Sequence, residues 1–149
     1  MRFRIAVALA IGTAITLTSG ATFAHHSFAA EFDNRIPVTL HGVIASVEIV
    51  NPHSFIYIDV ESDGAIEQWA LEGPGPHQVR RRERDLDFLK PGAELGACGY
   101  LARRDVASTR KEPVTGRTAR RLHAAVLITP NHGKFLWVNY RQGKCGLDT

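Results

Sequence analysis

The feature that most constrains the fold is the dipeptide Asp63-Gly64, which lies between two runs of strand-forming residues. Phe55 to Val60 precedes it and is rich in aromatic and β-branched side chains, and Ile66 to Leu71 follows it. A type I′ turn needs positive φ at both central residues, which an Asp-Gly pair tolerates well. The sequence therefore predicts an antiparallel hairpin at this point.

Four further segments have strand character, and they are Val38 to Ile49, Leu95 to Ala102, Leu122 to Thr129 and Phe135 to Tyr140. In the first segment, strict alternation places Ile44, Ser46 and Glu48 on one face. Gly42 indicates a bend or bulge in that strand.

A charged segment from His77 to Leu89 follows a Gly-Pro-rich break and carries a thin apolar stripe, which favours one short helix. Arg103 to Ala119 has no periodicity and is predicted to be a basic loop. Three strands, a helical connector and further strands are the order of a small closed barrel. We therefore expect an all-β, mainly antiparallel, OB-like β-barrel with one short helix. A small β-sandwich is the alternative, which accommodates the lone helix less well.

The first residues have the order of a secretory signal: Arg2 and Arg4, an apolar run from Ile5 to Leu17, and small residues up to Ala24. A retained membrane anchor is the alternative, but the run is shorter than the roughly 20 residues that a spanning helix needs. We expect a signal peptide at residues 1–24 and a periplasmic protein that does not span the membrane. The remaining divisions are an arm at 25–37, a barrel domain at 38–140 and a tail at 141–149.

Charge and cysteine content narrow the possible partners. The formal net charge of +3 falls by two when Arg2 and Arg4 are removed. Export and the nearly neutral net charge of the processed chain both argue against a nucleic-acid partner, although OB barrels often bind single-stranded nucleic acid. Cys98 and Cys145 form one disulfide in an oxidising compartment, or else remain a buried small residue and a free thiol.

Several short motifs carry a family resemblance. They include HHSFAAEFD at residues 25–33, Asn51-Pro52-His53, Glu72-Gly73 and the Leu89-Lys90-Pro91-Gly92 turn. In these motifs the chain resembles an uncharacterised family of small exported bacterial proteins, known only as a domain of unknown function. Ile49 stands where that family usually has Trp. The resemblance implies a periplasmic barrel-like domain and no particular reaction.

The best chemical hypothesis is a copper site. Cleavage after Ala24 would make His25 the first residue, so that its α-amine and imidazole can chelate one metal ion. His26 and, beyond the first strand, His53 would add imidazoles, and nitrogen-rich sets favour copper. Glu31 and Asp33 are candidates to orient a ligand ring. The alternative is that terminal histidines coordinate nothing, and cleavage after Ala21 would remove the chelating amine.

A second hypothesis is an envelope interaction module. It would hold a protein, peptide or glycan on an exposed barrel face around Phe55, Tyr57 and Trp69. No enzyme is predicted, because the chain has no GxSxG elbow, HExxH or phosphate-cradling motif. The carboxylates predicted to lie on strands are interpreted as solvated side chains at strand edges; they are Asp59, Glu61, Glu67 and Glu72.

Overall fold

The computed structural model describes residues 28–35, 37–82, 86–104, 108–131, 133–137 and 145. The predicted signal peptide therefore lies outside the described residues, as do His25, His26 and most of the tail. The described elements are α1 (Phe28–Glu31), β1 (Val38–Glu48), β2 (Phe55–Ser62), β3 (Ala65–Glu72), α2 (Pro76–Arg82), β4 (Glu94–Leu101), β5 (Thr109–Lys111), β6 (Thr118–Thr129) and β7 (Gly133–Leu136).

Five of the strands close into a barrel in the order β3-β2-β1-β4-β6. Neighbouring strands are antiparallel except at the closure, where β3 and β6 run parallel with Leu71 opposite Leu122. This closure confirms the predicted OB-like barrel. It also excludes an open two-sheet sandwich, because every strand of the ring has two neighbours.

The predicted hairpin between β2 and β3 is confirmed. Asp63 and Gly64 have φ values of 51° and 75°, both positive as a type I′ turn requires. The eight-residue register then runs without a break from Ser62 opposite Ala65 to Phe55 opposite Glu72. This uninterrupted pairing places the end of β3 directly beside the start of β2.

The long strand β1 pairs with β4 along its first half and with β2 along its second. Its register shifts between Ile44 and Ser46, so a bulge reverses which side chains face the core beyond that point. Ile44 faces the core, and beyond the bulge Val47 and Ile49 take the inward positions. The prediction that Ile44, Ser46 and Glu48 share a face is therefore wrong.

Gly42 has a different role from the predicted bend. A Cβ atom there would lie 2.4 Å from the backbone oxygen of Asp59, so the residue permits close approach of two strand backbones. The barrel interior is filled by apolar side chains from every strand of the ring. The fully buried members include Ile56, Ile58, Leu71, Leu95, Ala97, Leu122, Ala124 and Leu127.

Two segments differ from their predicted boundaries. The described helix spans Pro76–Arg82, and residues 86–89 of the predicted helix 77–89 lie outside it. The predicted basic loop contains β5 and the first residues of β6, which begins at Thr118. Arg120 and Arg121 belong to this strand because they pair with β3 at the barrel closure.

Residues 108–118, here called the strap, cover the outer face of β1 and β2. The Arg117 guanidinium contacts both carboxylate oxygens of Asp59 at 2.9 Å. Glu112 is 1% exposed and accepts a 2.6 Å hydrogen bond from the Ser46 hydroxyl. It also accepts bonds from the backbone of Val114 and from both the amide and hydroxyl of Thr115. These donors hold an anionic side chain against the barrel, and none of the described cations forms an ion pair with it.

Hydrogen bonding to Glu112 makes the strap sensitive to acid. Burial raises the pKa of Glu112, but the bonds from Ser46, Thr115 and Val114 outweigh it and lower the pKa to about 2. A carboxyl group whose pKa is lower in the folded than in the unfolded chain stabilises the fold above pH 4.5. This contribution to the free energy of unfolding is lost as the pH falls toward 2.

We therefore expect Glu112→Gln to reduce the pH dependence of the free energy of unfolding between pH 5 and pH 2. The measurement is urea denaturation at several pH values. Glu61→Gln, at an exposed position on β2, is the matched control. An unchanged pH profile in Glu112→Gln would contradict the proposed anchoring of the strap.

Phe28, Phe32 and Cys145 pack together on the outside of β4 and β6. Phe32, 3% exposed, forms an isolated bridge with Ala102 and shares a buried cluster with Cys98, Tyr100 and Cys145. The Sγ atoms of Cys98 and Cys145 are joined as a disulfide across 47 residues. The arm is thus docked on the barrel from Phe28 onward.

Removal of the disulfide is expected to destabilise the protein. Closing a loop of 47 residues restricts the unfolded chain, which corresponds to about 4 kcal/mol in the chain-entropy model. The double variant Cys98→Ser/Cys145→Ser should lose roughly that free energy of unfolding in urea denaturation. The control is wild-type protein treated with a reductant, which should show a similar loss; a loss below about 1 kcal/mol in both would contradict the prediction.

Candidate functional site

A cleft of about 360 Å³ with both acidic and basic side chains lies at one end of the barrel. It forms where α1, the loop between β1 and β2, the end of β3, the strap and β6 meet. Its lining residues are Glu31, Val50, Asn51, Pro52, His53, Phe55, Glu72, Thr109, Arg110 and Arg121.

The loop before β2 places His53 in this cleft. The next residue, Ser54, donates its backbone amide to the carbonyl of Pro74 and accepts a bond from the amide of Gly73. The backbone of the loop is thereby tied to the segment that follows β3. The His53 side chain is 52% exposed, and its Nδ1 lies 2.5 Å from Oε1 of Glu72.

Glu72 is the most deeply buried acid of the cleft, at 1% exposure. Its Oε1 contacts His53, and its Oε2 accepts bonds from Nε and Nη2 of Arg121 at 3.1 and 2.6 Å. The interpretation of Glu72 as a solvated strand edge is therefore wrong. It is the last residue of β3, where the parallel closure brings β6 alongside.

Arg121 extends these contacts to the arm. Its Nη2 also donates to Oε2 of Glu31 at 3.1 Å, and its guanidinium lies 5.3 Å from the Phe32 ring centroid. Burial lowers the pKa of Arg121, but the bonds to Glu72 and Glu31 outweigh this and raise it. Glu31, Arg121, Glu72 and His53 thus form a continuous polar chain from the arm to the open cleft.

His123 packs beside this polar chain. Its ring centroid lies 4.8 Å from that of Phe28 and 5.0 Å from that of Phe32. Desolvation lowers the pKa of His123 to about 4, with Glu72 acting in the opposite direction. The imidazole is therefore neutral at neutral pH, and within the described part of the chain its Nδ1 has no hydrogen-bond partner.

Arg110 is another lining residue of the cleft, and its side chain is held by three neighbours. Its Nε donates to the Tyr57 hydroxyl at 2.7 Å and its Nη2 to Glu48 at 3.0 Å. The guanidinium carbon lies 4.0 Å from the centroid of the Phe55 ring. Burial lowers the pKa of Arg110, and the bonds to Glu48 and Tyr57 raise it above its ordinary value.

The predicted exposed aromatic face is wrong. Phe55, Tyr57 and Trp69 are 7%, 0% and 4% exposed. Phe55 and Tyr57 lie on the outer face beneath the strap, whereas Trp69 belongs to the interior core. These rings do not form a common accessible platform, because β2 and β3 alternate their side chains and the strap covers one side.

Of the three histidines proposed as copper ligands, the structure describes His53, which lines the cleft. Glu31 is in the cleft as well, but it contacts Arg121, and Glu72 is the carboxylate on the His53 ring. Asp33 is bonded to Arg35 instead. His41 lines a separate groove with Glu94 and Gly96.

No described helix is long and apolar enough to cross a membrane. No group of three or more His, Cys, Asp or Glu residues suited to a metal ion occurs within the described ranges. His25 and His26, the other two proposed copper ligands, lie outside those ranges.

Comparison with known proteins identifies the family but no activity. A model of the family of unknown function DUF6152 matches residues 14–110, about two thirds of the chain. The chain belongs to this family. No curated protein and no solved structure shows significant similarity to it. The match includes Glu31, His53, Glu72 and Arg110, while Arg121 lies beyond it.

The burial of Glu72 predicts a large effect of its removal. Glu72→Gln leaves the Arg121 guanidinium, whose side chain is 12% exposed, without its main counter-charge. Breaking such a buried pair costs about 3 kcal/mol of free energy of unfolding.

The matched control is Glu67→Gln on the same strand, where the carboxylate contacts Arg120 and both side chains are about half exposed. That variant should lose less than about 1 kcal/mol. Urea denaturation of both variants measures the difference. Equal losses would show that Glu72 has no special structural role.

Proposed function

We propose that this protein is an exported, periplasmic metal-binding protein that holds copper through His53 and the histidines of its arm. The single observation that supports this proposal is the contact between Nδ1 of His53 and the buried carboxylate of Glu72. A carboxylate only accepts hydrogen bonds, so Nδ1 carries the proton, and in the neutral imidazole Nε2 then has a lone pair that a metal ion can take.

A contact of this kind is common behind a histidine that binds a metal ion. Ligating histidines commonly donate their other ring nitrogen to a carboxylate, which fixes the tautomer and the ring orientation. His53 meets the steric requirement too, since half of its side chain is exposed within the cleft. Arg121 holds the other oxygen of Glu72, so the carboxylate is fixed on both sides.

The arm is the proposed source of the remaining ligands. His26 stands two residues before Phe28, and two residues of extended chain span about 7 Å. Phe28 packs against the His123 ring, and Glu31 joins the polar chain that ends at His53. His25, as the first residue after cleavage, would add its amine and imidazole, and such nitrogen donors favour copper. A disulfide between Cys98 and Cys145 is compatible with an oxidising compartment.

The first test is the mature sequence and its copper affinity. We expect mass spectrometry of exported protein to find His25 as the leading residue. Titration with Cu(II) should then give sub-micromolar binding, a visible d–d band and nitrogen hyperfine structure in the electron paramagnetic resonance spectrum.

Three variants locate the ligands. His53→Gln and an added glycine before His25 should each weaken copper binding at least tenfold. His41→Gln, an exposed histidine on β1 outside the cleft, should leave the affinity unchanged. A wild-type protein that does not bind Cu(II), or binding insensitive to His53→Gln, would overturn the proposal.

A further inference from the structure

A groove of about 420 Å³, here called the outer groove, runs across the outer face of β1, β4 and β6. It is separate from the cleft that contains His53. The strap covers the outer face of β1 and β2 beyond the bulge, and the cluster of Phe32, Cys98 and Tyr100 covers a later part of β4 and β6. The outer groove lies on the part of the sheet between these two covers.

One row of residues across three strands forms the floor of the outer groove. His41 pairs with Gly96, and Gly96 pairs with Ile128. A Cβ atom at Gly96 would lie 3.0 Å from two atoms of the His41 ring and 3.2 Å from Cβ of Ile128. Because Gly96 has no side chain, the His41 ring lies over β4 and reaches toward Ile128. The floor is therefore a flat ring beside an aliphatic side chain.

The next row of the sheet adds an apolar and an acidic side chain. Val43 pairs with Glu94, and Val43 is 45% exposed. Residues two apart on one face of a strand are about 7 Å apart along it. The Glu94 carboxylate therefore borders the floor at a short, fixed distance from Gly96.

Glu94 has no counter-charge among the residues that the structure describes. Lys90 lines an adjoining groove with it, and Lys134 pairs with Ile128 in β7, but neither forms an ion pair with Glu94 in the described part of the chain. Four other strand carboxylates each contact an arginine; they are Glu48, Asp59, Glu67 and Glu72. An anion without a protein cation, placed beside apolar surface, is complementary to a ligand that carries both a positive charge and an apolar body.

We propose that the outer groove binds a small organic cation, whose ammonium group contacts Glu94 and whose apolar body lies on the floor formed by His41 and Ile128. Sites for small molecules have volumes of about 300 to 1,000 Å³ and are mostly apolar with a few polar groups, as this groove is. The apolar floor supplies most of the affinity, because an ion pair at an exposed carboxylate contributes at most about a fivefold change. The carboxylate determines which charge is accepted. The outer groove shares no residue with the proposed copper site.

The probe is 2-phenylethylammonium, and the measurement is a titration of ¹⁵N-labelled mature protein, free of metal, followed by nuclear magnetic resonance. The neutral 2-phenylethanol and the anionic 3-phenylpropionate have similar shapes and serve as matched ligands. We expect saturable shifts at the amides of Val43, Glu94, Gly96 and Ile128. The affinity should be highest for the ammonium, about three- to fivefold lower for the alcohol, and lowest for the carboxylate.

Two substitutions separate the charge from the floor. Glu94→Gln should reduce the affinity for the ammonium about three- to fivefold and leave the affinity for the alcohol unchanged. His41→Ala should weaken both ligands equally. Glu61→Gln, at an exposed position on β2 outside the outer groove, is the matched control and should change neither affinity. Amide spectra of the free variants show whether each remains folded.

Three results would overturn the proposal. They are an affinity for the ammonium that Glu94→Gln does not change, shifts that centre on His53 instead of the outer groove, and shifts at the groove amides that follow protein concentration without ligand. The last result would assign the groove to a second copy of the chain. His53→Gln should leave ammonium binding unchanged, so the copper proposal can fail without affecting this one.

Discussion

The site depends on one buried carboxylate, Glu72. An anion at 1% exposure is tolerated only where cations and hydrogen-bond donors replace the lost water. Arg121 and His53 provide these partners, one on each oxygen. Because they come from β6 and from the loop after β1, the carboxylate links three distant parts of the chain. The same contacts that make Glu72 tolerable in the interior fix the orientation of the His53 ring.

The closed barrel explains why this link exists. Leu71 pairs with Leu122 in the parallel register between β3 and β6, so Glu72 stands opposite His123 and close to Arg121. No separate binding loop is needed to bring the acid and the guanidinium together. Arg121 also contacts Glu31, and the docking of Phe28 and Phe32 on the barrel therefore belongs to the same structural unit. The position of the arm is set by aromatic packing and by this ion pair together.

Much of the fold could be predicted from the sequence, but only part of the site. The Asp63-Gly64 turn and the apolar strands were readable because short-range patterns determine them. Glu72 was not, since its burial depends on a strand fifty residues away. The strand β6 was predicted to begin at Leu122 instead of Thr118, because the charged residues Arg120 and Arg121 are typical of an exposed segment. The faces of β1 beyond Ile44 were also predicted wrongly. The bulge adds one unpaired residue, so every later side chain of the strand points to the other face of the sheet.

The strap determines which part of the barrel surface stays accessible. The face of the second and third strands is a common ligand surface of OB barrels. Here Arg110, Glu112 and Arg117 hold the strap against the outer face of β1 and β2, so the β2 part of that surface is covered. Phe55 and Tyr57 pack in a buried cluster beneath the strap, and the Phe55 ring stacks against the Arg110 guanidinium. The described polar cleft lies instead at the end of the barrel, where strap and arm border it. The Arg110 guanidinium in that cleft is already held by Tyr57, Glu48 and the Phe55 ring, so little of its side-chain freedom remains to be lost in a further contact.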